Sequence, residues 1–208
     1  MAVTEFVFPH LNPDPVLLQS LKEILPAAAK ATFSDVTGLL GYHRGRIVQA
    51  RNVTENTTID HSGMVIVLEW DDISSFDSFW ASDKFAAFRE TIKPYLLRPV
   101  APDLFTSDEQ SQSGGTTESK FTQYVKIEGA GDAVQDMQSD WYKLVSALGG
   151  QEKASFNAWG SRDKTMFAGM IGWDSVEDFE AATKAPSYSA SLENKWRPIA
   201  KSIINQFF

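Results

Sequence analysis

The sequence predicts an α+β fold made of two β-α-β-β-α-β repeats, because the chain resembles itself in two registers. Four positions recur 103 residues later, and three of them keep the same residue type. These pairs are Trp70 and Trp173, Asp71 and Asp174, Phe76 and Phe179, and Phe85 and Tyr188. Near the start of each half, Thr4–Val7 resembles Thr122–Val125, this time 118 residues apart. Several matches in one register, with similar elements around them, indicate a repeated unit.

A polar stretch rich in Gly and Ser separates the two halves and is typical of a linker. We therefore predict a first repeat over residues 1–106, a linker over 107–119 and a second repeat over 120–208. The two registers differ by 15 residues, so the first half must contain an insertion of that length. We place it between the second and third strands, from about residue 44 to residue 63. It suits a long hairpin that either forms a wall or lid of the first repeat's cavity or extends into solvent.

In the first half, strand patterns cover three segments, residues 3–10, 38–46 and 64–70. Asp14 and Pro15 predict the start of a helix, and Pro26 is expected to end or bend it. A second helix is predicted from Asp72, with a break near Ser82.

In the second half, strand patterns cover residues 121–127, 154–159, 166–173 and 203–208. An apolar stripe at helical spacing runs from Val134 to Leu148 and is closed by Gly149 and Gly150. A further helix is predicted from Ser175, with an interruption at Pro186 and apolar positions from Tyr188 onward. The second half therefore repeats the element order of the first.

Composition and charge exclude several classes of function. The net charge of -8 and the lack of a Lys/Arg cluster argue against binding to nucleic acid or to an anionic membrane. No apolar run is long enough to span a membrane, and the N-terminal residues do not resemble a signal peptide. Because the chain has no cysteine, it has neither disulfides nor thiolate metal ligands. We therefore expect a cytoplasmic protein without nucleic-acid or membrane partners.

A single β-α-β-β-α-β repeat, or ferredoxin-like unit, covers only one face of its sheet with helices. The other face is apolar and needs a partner. Two linked units can bury these faces against each other, sheet to sheet, which predicts a single-chain version of a dimeric α+β barrel. The closed interior of such an arrangement suits a small, largely apolar ligand.

The third strand and second helix of the first half resemble those of the antibiotic-biosynthesis-monooxygenase branch of the dimeric α+β barrel superfamily. The residues that carry the resemblance are Glu69–Phe76 and, further on, Phe85–Glu90. This family includes cofactor-independent oxygenases of polyketide phenols, polyketide cyclases, haem-degrading enzymes and members without an assigned activity. The resemblance therefore implies an enzyme that acts on small molecules in secondary metabolism, although one fold hosts many functions.

Individual residues fit this resemblance to different degrees. Trp70 is similar to a tryptophan on the family's third strand, His43 to a histidine on its second strand, and Arg89 to a helix arginine. Ile66 and Phe76 stand where the oxygenases have an asparagine and a tyrosine.

His43 is the main candidate for chemistry, because histidine exchanges protons near neutral pH more readily than other side chains. We interpret it as a general base or a phenol-binding donor in the first repeat's cavity; the alternative is a structural, partly exposed strand residue. His10 is expected in a surface turn and His61 in a polar loop. No two histidines have metal-ligand spacing, and the second half lacks the histidine that a chlorite-dismutase-type haem site would use. We therefore expect neither a metal nor a cofactor.

Aromatic and basic side chains are the candidates for binding the ligand, because they offer a flat apolar face or a charged donor. The residues assigned to this role are Tyr42, Arg44, Trp70, Trp80, Arg89, Tyr124 and Trp159. Glu5 and Glu69 lie within strand patterns. If buried, either could act as an acid or base, but exposure on the open side of the strand is expected.

Two functions remain open. The first is a cofactor-independent enzyme, a cyclase, decarboxylase or monooxygenase, that acts on small aromatic or polyketide-like molecules. The second is a non-catalytic ligand-binding or stress-responsive protein of the same fold. Both functions require a small hydrophobic or aromatic ligand as the partner, and a homodimer is compatible with either.

Overall fold

The computed structural model of the chain describes residues 1–52, 57–58, 63–107, 114–128, 134–148, 154–184 and 200–207. The predicted positions of His61, Pro186 and Tyr188 lie outside these ranges.

The first half follows the predicted order of strands and helices. It begins with β1 (Val3–Val7), α1 (Pro15–Phe33), β2 (Leu39–Asn52), β3 (Thr57–Thr58) and β4 (Met64–Trp70). It continues with α2 (Ile73–Trp80), α3 (Asp83–Ile92), a 3₁₀ turn (Lys93–Tyr95) and β5 (Asp103–Thr106).

Capping residues fix the helix boundaries of the first half. The carboxylate of Asp14 accepts hydrogen bonds from the backbone N–H groups of the first turn of α1, the shortest at 2.8 Å. Asp72 caps α2 in the same way, and the hydroxyl of Ser82 caps α3, so the predicted helix break is confirmed. Of the two outcomes expected for Pro26, the helix does not end there, because α1 continues to Phe33 with its buried face intact.

The second half adds one element that the sequence does not predict. The elements in order are α4 (Gly114–Thr117), β6 (Phe121–Ile127), α5 (Val134–Ala147), β7 (Ser155–Gly160), β8 (Phe167–Trp173), α6 (Val176–Thr183) and β9 (Ala200–Phe207). The short helix α4 falls inside the segment predicted to be a linker. Ser175 caps α6 by accepting a hydrogen bond from the N–H of Asp178 at 3.0 Å.

The described strands form one antiparallel sheet in the order β3-β2-β4-β1-β5-β7-β8-β6-β9. β2 also pairs with β9, from Gly45 opposite Phe207 to Asn52 opposite Lys201. The strands from β2 to β9 therefore form a ring, and the two-residue strand β3 extends from β2. The inserted segment of the first half therefore lengthens β2 and forms part of the wall of the ring. Its predicted tip, residues 53–56 and 59–62, lies outside the described residues.

Alternate residues of each strand face either the interior of the ring or one of two outer helical layers. The interior cluster consists of Phe6, Ile47, Ala50, Val65, Val67, Phe105, Tyr124, Phe156, Ala158, Ala168 and Met170. The first outer layer packs helices of the first half on their strands, through residues that include Val3, Leu21, Leu25, Leu68, Trp70, Phe76, Phe79 and Phe88. The second outer layer contains Val125, Trp141, Leu144, Phe167, Ile171, Trp173 and Phe179. The α+β prediction is confirmed.

The two halves place their matching tryptophans at equivalent strand ends. Trp70 is the last residue of β4 and pairs with Val3, the first residue of β1. Trp173 is the last residue of β8 and pairs with Phe121, the first residue of β6. The paired residues of the first half are thus shifted by 118 and 103 residues to give the paired residues of the second half, the same two offsets that the sequence comparison gives.

Gly169 marks a difference between the halves, because Ile66 stands at the matching position 103 residues earlier. A Cβ atom on Gly169 would collide with the indole of Trp141, which covers the strand at this point. In the first half the side chain of Ile66 itself packs into the outer layer. In the first half, the Ile66 side chain on the strand fills this position. In the second half, the Trp141 indole on α5 fills it.

We expect Gly169→Ala to destabilise the chain, because the new methyl group would displace the Trp141 indole. The expected loss is about 1–3 kcal/mol in the free energy of unfolding, measured by urea denaturation. Gly115→Ala is the control, since its Cβ would lie 3.6 Å from the Cβ of Ala154, an ordinary contact. Equal losses in the two variants would contradict the packing of Trp141 described above.

Candidate functional site

His43 and Glu69 face the interior at the end of the ring where β1 and β6 begin. They lie on neighbouring strands, with Gly41 paired to Glu69 and His43 paired to Val67. A Cβ atom on Gly41 would lie 3.2 Å from both the His43 Nε2 and the Glu69 Oε2. The glycine therefore leaves the space in which the imidazole and the carboxylate converge. We call this end, defined by Gly41, His43, Glu69 and the adjoining Thr4 of β1, the mouth of the ring.

Three influences act on the carboxyl group of Glu69. Burial raises its pKa, the charge of His43 lowers it, and the charge of Glu118 raises it again. Glu69 and His43 are both half-buried, so they are shielded from bulk water without being sealed from it. A carboxyl group with a raised pKa beside an imidazole can exchange a proton with it or with a bound molecule. The mouth is therefore suited to general acid–base chemistry.

The hydroxyl of Tyr124 lies in the apolar interior of the ring. Tyr124 is 1% exposed, and its ring centroid lies 4.6 Å from that of Phe6 and 5.4 Å from that of Phe8. Its hydroxyl has no hydrogen-bond partner among the described residues. Burial, followed by the charges of Asp103 and Glu128, raises its pKa well above the usual range, so the group remains a donor. An unpaired buried donor is costly, which makes it a ready partner for a ligand oxygen.

A charged group lies at the opposite end of the interior from the mouth. The Lys126 Nζ is 2.7 Å from a carboxylate oxygen of Asp103 and 2.7 Å from one of Glu128. Asp103 belongs to β5 and Lys126 to β6, so this ion pair also links the two halves. Two carboxylates surround one ammonium here, and Glu69 and Glu118 lie near the mouth. Both ends of the interior are therefore acidic, which disfavours an anionic ligand.

Glu5 lies on the other face of β1, in the first outer layer. It is 4% exposed, and its Oε2 accepts a hydrogen bond of 3.0 Å from the indole N–H of Trp70. Burial raises its pKa to about 7, although the bond from Trp70 lowers it. The expectation that Glu5 is exposed is wrong, because alternate residues of β1 share a face that the helices cover.

The residues predicted to bind the ligand lie on three different surfaces. Tyr124 shares the interior with His43. Tyr42 precedes His43 on β2 and therefore points to the opposite face, where its ring centroid lies 5.1 Å from that of Phe33. Arg44 follows His43 and shares the face of Tyr42; burial raises the pKa of Tyr42 and the charge of Arg44 lowers it. The three consecutive residues of β2 thus do not form one binding group.

The remaining candidates belong to the outer layers. Trp70 is fully buried in the first layer. Arg89 is exposed, with its guanidinium 5.6 Å from the ring centroid of Trp80. Trp159 lies in the second layer, where its ring centroid is 4.9 Å from that of Phe167. The structure therefore does not bring Trp70, Trp80, Arg89 or Trp159 together with His43.

Thr4 and Gly41 are the members of the mouth that sequence patterns leave unassigned. Glu69 is expected from the sequence to be exposed and to act as an acid or base only if buried; the structure makes it half-buried, with burial raising its pKa. Glu69 is the one charged residue in the run from Met64 to Trp70, and this makes it stand out in the sequence. The sequence does not show which face of the strand carries it. The other histidines do not contribute: His10 contacts the side chain of Arg98, and His61 lies outside the described residues.

Within the described ranges, no cluster of three or more His, Asp and Glu side chains is placed to hold a metal ion. No helix in those same ranges has the length and apolar character needed to cross a membrane.

We expect Glu5→Gln to stabilise the chain at pH 8 and to have little effect at pH 4.5. The folded pKa of Glu5 is about 7, against an ordinary value of 4.5. The glutamate therefore favours folding most below pH 4.5, and this contribution is lost as the pH rises through 7. The loss is about 3 kcal/mol by pH 8.

The measurement is the free energy of unfolding of both proteins between pH 4.5 and pH 8. The introduced amide cannot ionise and can still accept the hydrogen bond from Trp70, so the stability of the variant should depend less on pH. Glu180→Gln, at an exposed position of α6, is the control. A Glu5→Gln variant with the pH profile of this control would show that Glu5 does not titrate as described.

Comparison with known proteins places the whole chain in a known fold. The sequence matches no protein-family model and no curated protein. Among solved structures, an anthrone oxidase-like protein has a TM-score of 0.63 at 12% identity, covering 100% of this chain and 91% of that one. A candidate monooxygenase from Fusobacterium nucleatum has a TM-score of 0.62 at 12% identity, covering 99% and 91%. Another from Lactobacillus acidophilus has a TM-score of 0.57 at 11% identity, covering 98% and 93%. The chain therefore shares the fold of these proteins across both of its halves.

Proposed function

We propose that the protein is an enzyme that uses His43 and Glu69 to transfer a proton on a small aromatic or polyketide-like molecule. The observation that carries the proposal is the convergence of the imidazole and the carboxylate on the space above Gly41. This space lies at the mouth of an interior that is otherwise mainly apolar. Acid–base catalysis requires a proton-accepting side chain within hydrogen-bond reach of the bound molecule, and a half-buried imidazole at the mouth meets this requirement.

The surroundings of the pair support an aromatic substrate. Phe6, Phe105 and Phe156 line the interior, and the hydroxyl of Tyr124 has no acceptor among the described residues. A flat apolar molecule with one oxygen suits such a site. One structural neighbour is described as anthrone oxidase-like, which is consistent with chemistry on a fused-ring ketone or phenol.

The step that we assign to His43 is removal of a proton from an acidic O–H or C–H bond of the bound molecule. Glu69 stabilises the imidazolium that results. Cyclisation, decarboxylation and oxygenation of polyketide-like molecules each proceed through an anion or enol, so this step is common to the reactions predicted from sequence. We propose that the reaction needs no cofactor and no metal.

We also propose that the chain is a single-chain counterpart of a dimeric α+β barrel. Its two ferredoxin-like repeats would be residues 1–106 and 120–208, joined by residues 107–119. The equivalent pairing of the two strand-end tryptophans supports this relation. A cytoplasmic location, the absence of nucleic-acid partners and the homodimer stay predictions.

A ligand-binding protein without catalysis is the second candidate. The observation that favours it is the close packing of the interior, where the ring centroid of Phe6 lies 4.6 Å from that of Tyr124 and 5.8 Å from that of Phe105. A ligand of aromatic size would be held at the mouth, or would enter only after these rings move. Turnover separates the two candidates.

We expect His43→Ala to lower the rate of anthrone oxidation by about 100-fold, because the general base is lost. Anthrone is the probe because of the structural neighbour described as anthrone oxidase-like. Formation of anthraquinone is followed by absorbance, and consumption of dioxygen by an electrode. His10→Ala is the matched control and should leave the rate unchanged, since His10 contacts Arg98 away from the mouth.

A parent protein that binds anthrone but converts it no faster than buffer would refute the enzyme and favour the binding protein. If the parent is active and His43→Ala matches it, His43 has no part in the mechanism. The rate of anthrone oxidation by Glu69→Gln should lie between the rates of the parent and of His43→Ala, because the substitution keeps the shape of the side chain but removes its charge.

A further inference from the structure

The strand pairing places Thr4 and Thr122 at equivalent positions in the two halves. Thr4 of β1 lies opposite Glu69, and Thr122 of β6 lies opposite Gly172, which is 103 residues after Glu69. Both threonines face the interior, since the next inward residue of each strand belongs to the interior cluster. What surrounds one threonine can therefore be compared directly with what surrounds the other.

In the second half, the chain itself occupies the space above the threonine. The hydroxyl of Thr122 donates a hydrogen bond to the backbone carbonyl oxygen of Thr116 in α4. Ser119 fills the space above Gly172, where a Cβ atom would collide with its hydroxyl group. Thr116 is fully buried, and its own hydroxyl lies 3.8 Å from the sulfur of Met170. A neutral, planar carbonyl group is therefore bound inside the ring at this position.

In the first half, the same position has different surroundings. The helix α4 packs mainly against β6, β7 and β8. Thr4 is 4% exposed, yet its hydroxyl makes no hydrogen bond with any residue that the structure describes. Glu69 replaces Gly172, and His43 replaces Phe156, since these two residues pair with matching positions of β4 and β8. The first half thus offers a hydroxyl beside an acid–base pair, where the second half holds a carbonyl.

We infer that the mouth binds a carbonyl oxygen of the ligand through the hydroxyl of Thr4, as Thr122 binds the carbonyl oxygen of Thr116. The inference rests on the proposed function and specifies its substrate class as a neutral, planar aromatic ketone. A carboxylate is disfavoured because Glu69 adjoins Thr4 and Glu118 lies close to Glu69.

The hydroxyl of Thr4 also has a role in the chemistry. When a proton leaves the carbon conjugated to the carbonyl, the C–H bond breaks and the electron pair moves onto the carbonyl oxygen, forming an enolate. The proton passes to the imidazole of His43. A hydrogen bond from Thr4 strengthens as negative charge develops on that oxygen, and this lowers the barrier.

The test compares 9-fluorenone, an aromatic ketone without a removable proton, with fluorene, which has the same rings and no carbonyl. Binding is measured by quenching of tryptophan fluorescence. Thr4→Val should weaken the binding of fluorenone about tenfold, the effect of one lost hydrogen bond, and leave the binding of fluorene unchanged. Thr4→Ser keeps the hydroxyl and should bind fluorenone like the parent. Thr122→Val is the matched control, because the hydroxyl of Thr122 donates its hydrogen bond to the carbonyl oxygen of Thr116 in α4 and not to a ligand.

Infrared difference spectra give a second readout that a purely structural role of Thr4 would not change. The carbonyl stretching band of bound fluorenone should shift to lower wavenumber in the parent and lose this shift in Thr4→Val. Equal affinity of parent and Thr4→Val for fluorenone, an unshifted band, or no binding of fluorenone to the parent would each overturn the inference. The proposed function is judged separately, by anthrone turnover and its dependence on His43.

Discussion

The pairing of β2 with β9 is the constraint on which the rest of the structure depends. It joins the long second strand of the first half to the last strand of the second half over residues 45–52. Without it, two strands would present unpaired backbone groups at the edges of the sheet. Ile47 and Ala50 lie in the paired stretch and enter the interior cluster, so the same contact closes the backbone and fills the core.

A closed ring gives every strand two environments that differ in access to water. Glu5 and Glu69 show the difference, because they lie on the paired strands β1 and β4 and point to opposite faces. Glu5 is sealed beneath the helices, where its carboxyl group accepts one indole hydrogen bond. Glu69 is half-buried at the mouth, within reach of an imidazole. Burial raises the pKa of both groups, but of the two only Glu69 is partly exposed to solvent.

The parts of the fold that depend on local sequence could be predicted, as could a closed interior between two linked repeats. The particular strands that pair to close the ring, and the helix α4, could not. The caps at Asp14 and Asp72 and the matching ends at Trp70 and Trp173 follow from residue type and spacing. Ring closure and the helix α4 depend on residues far apart in sequence. Sequence alternation also fails where both faces of a strand are covered, as in β8, whose seven residues are all buried.

Residue type predicts His43 and Tyr124 as members of the candidate site, but not how the site is assembled. His43 stands out because it is a lone histidine in a strand pattern, but its partner Glu69 comes from the register of β2 on β4. That register shifts between Leu39 and Gly41, an irregularity that no periodicity reveals. Residue type alone predicts Trp80 and Trp159 as ligand-binding residues, but residue type cannot distinguish an outer layer from an interior when both are apolar.

The replacement of Glu69 and His43 by Gly172 and Phe156 has a consequence for how such a ring can change over evolutionary time. A symmetric homodimer carries each residue twice, so any substitution alters both of its mouths together. When the two halves belong to one chain, each half can vary independently. The segment that connects them can also pack into the fold, as α4 does here. Here the first half carries Glu69 and His43, while the second half carries Gly172 and Phe156, with Ser119 in the space above Gly172. Identical subunits could not differ from each other in this way.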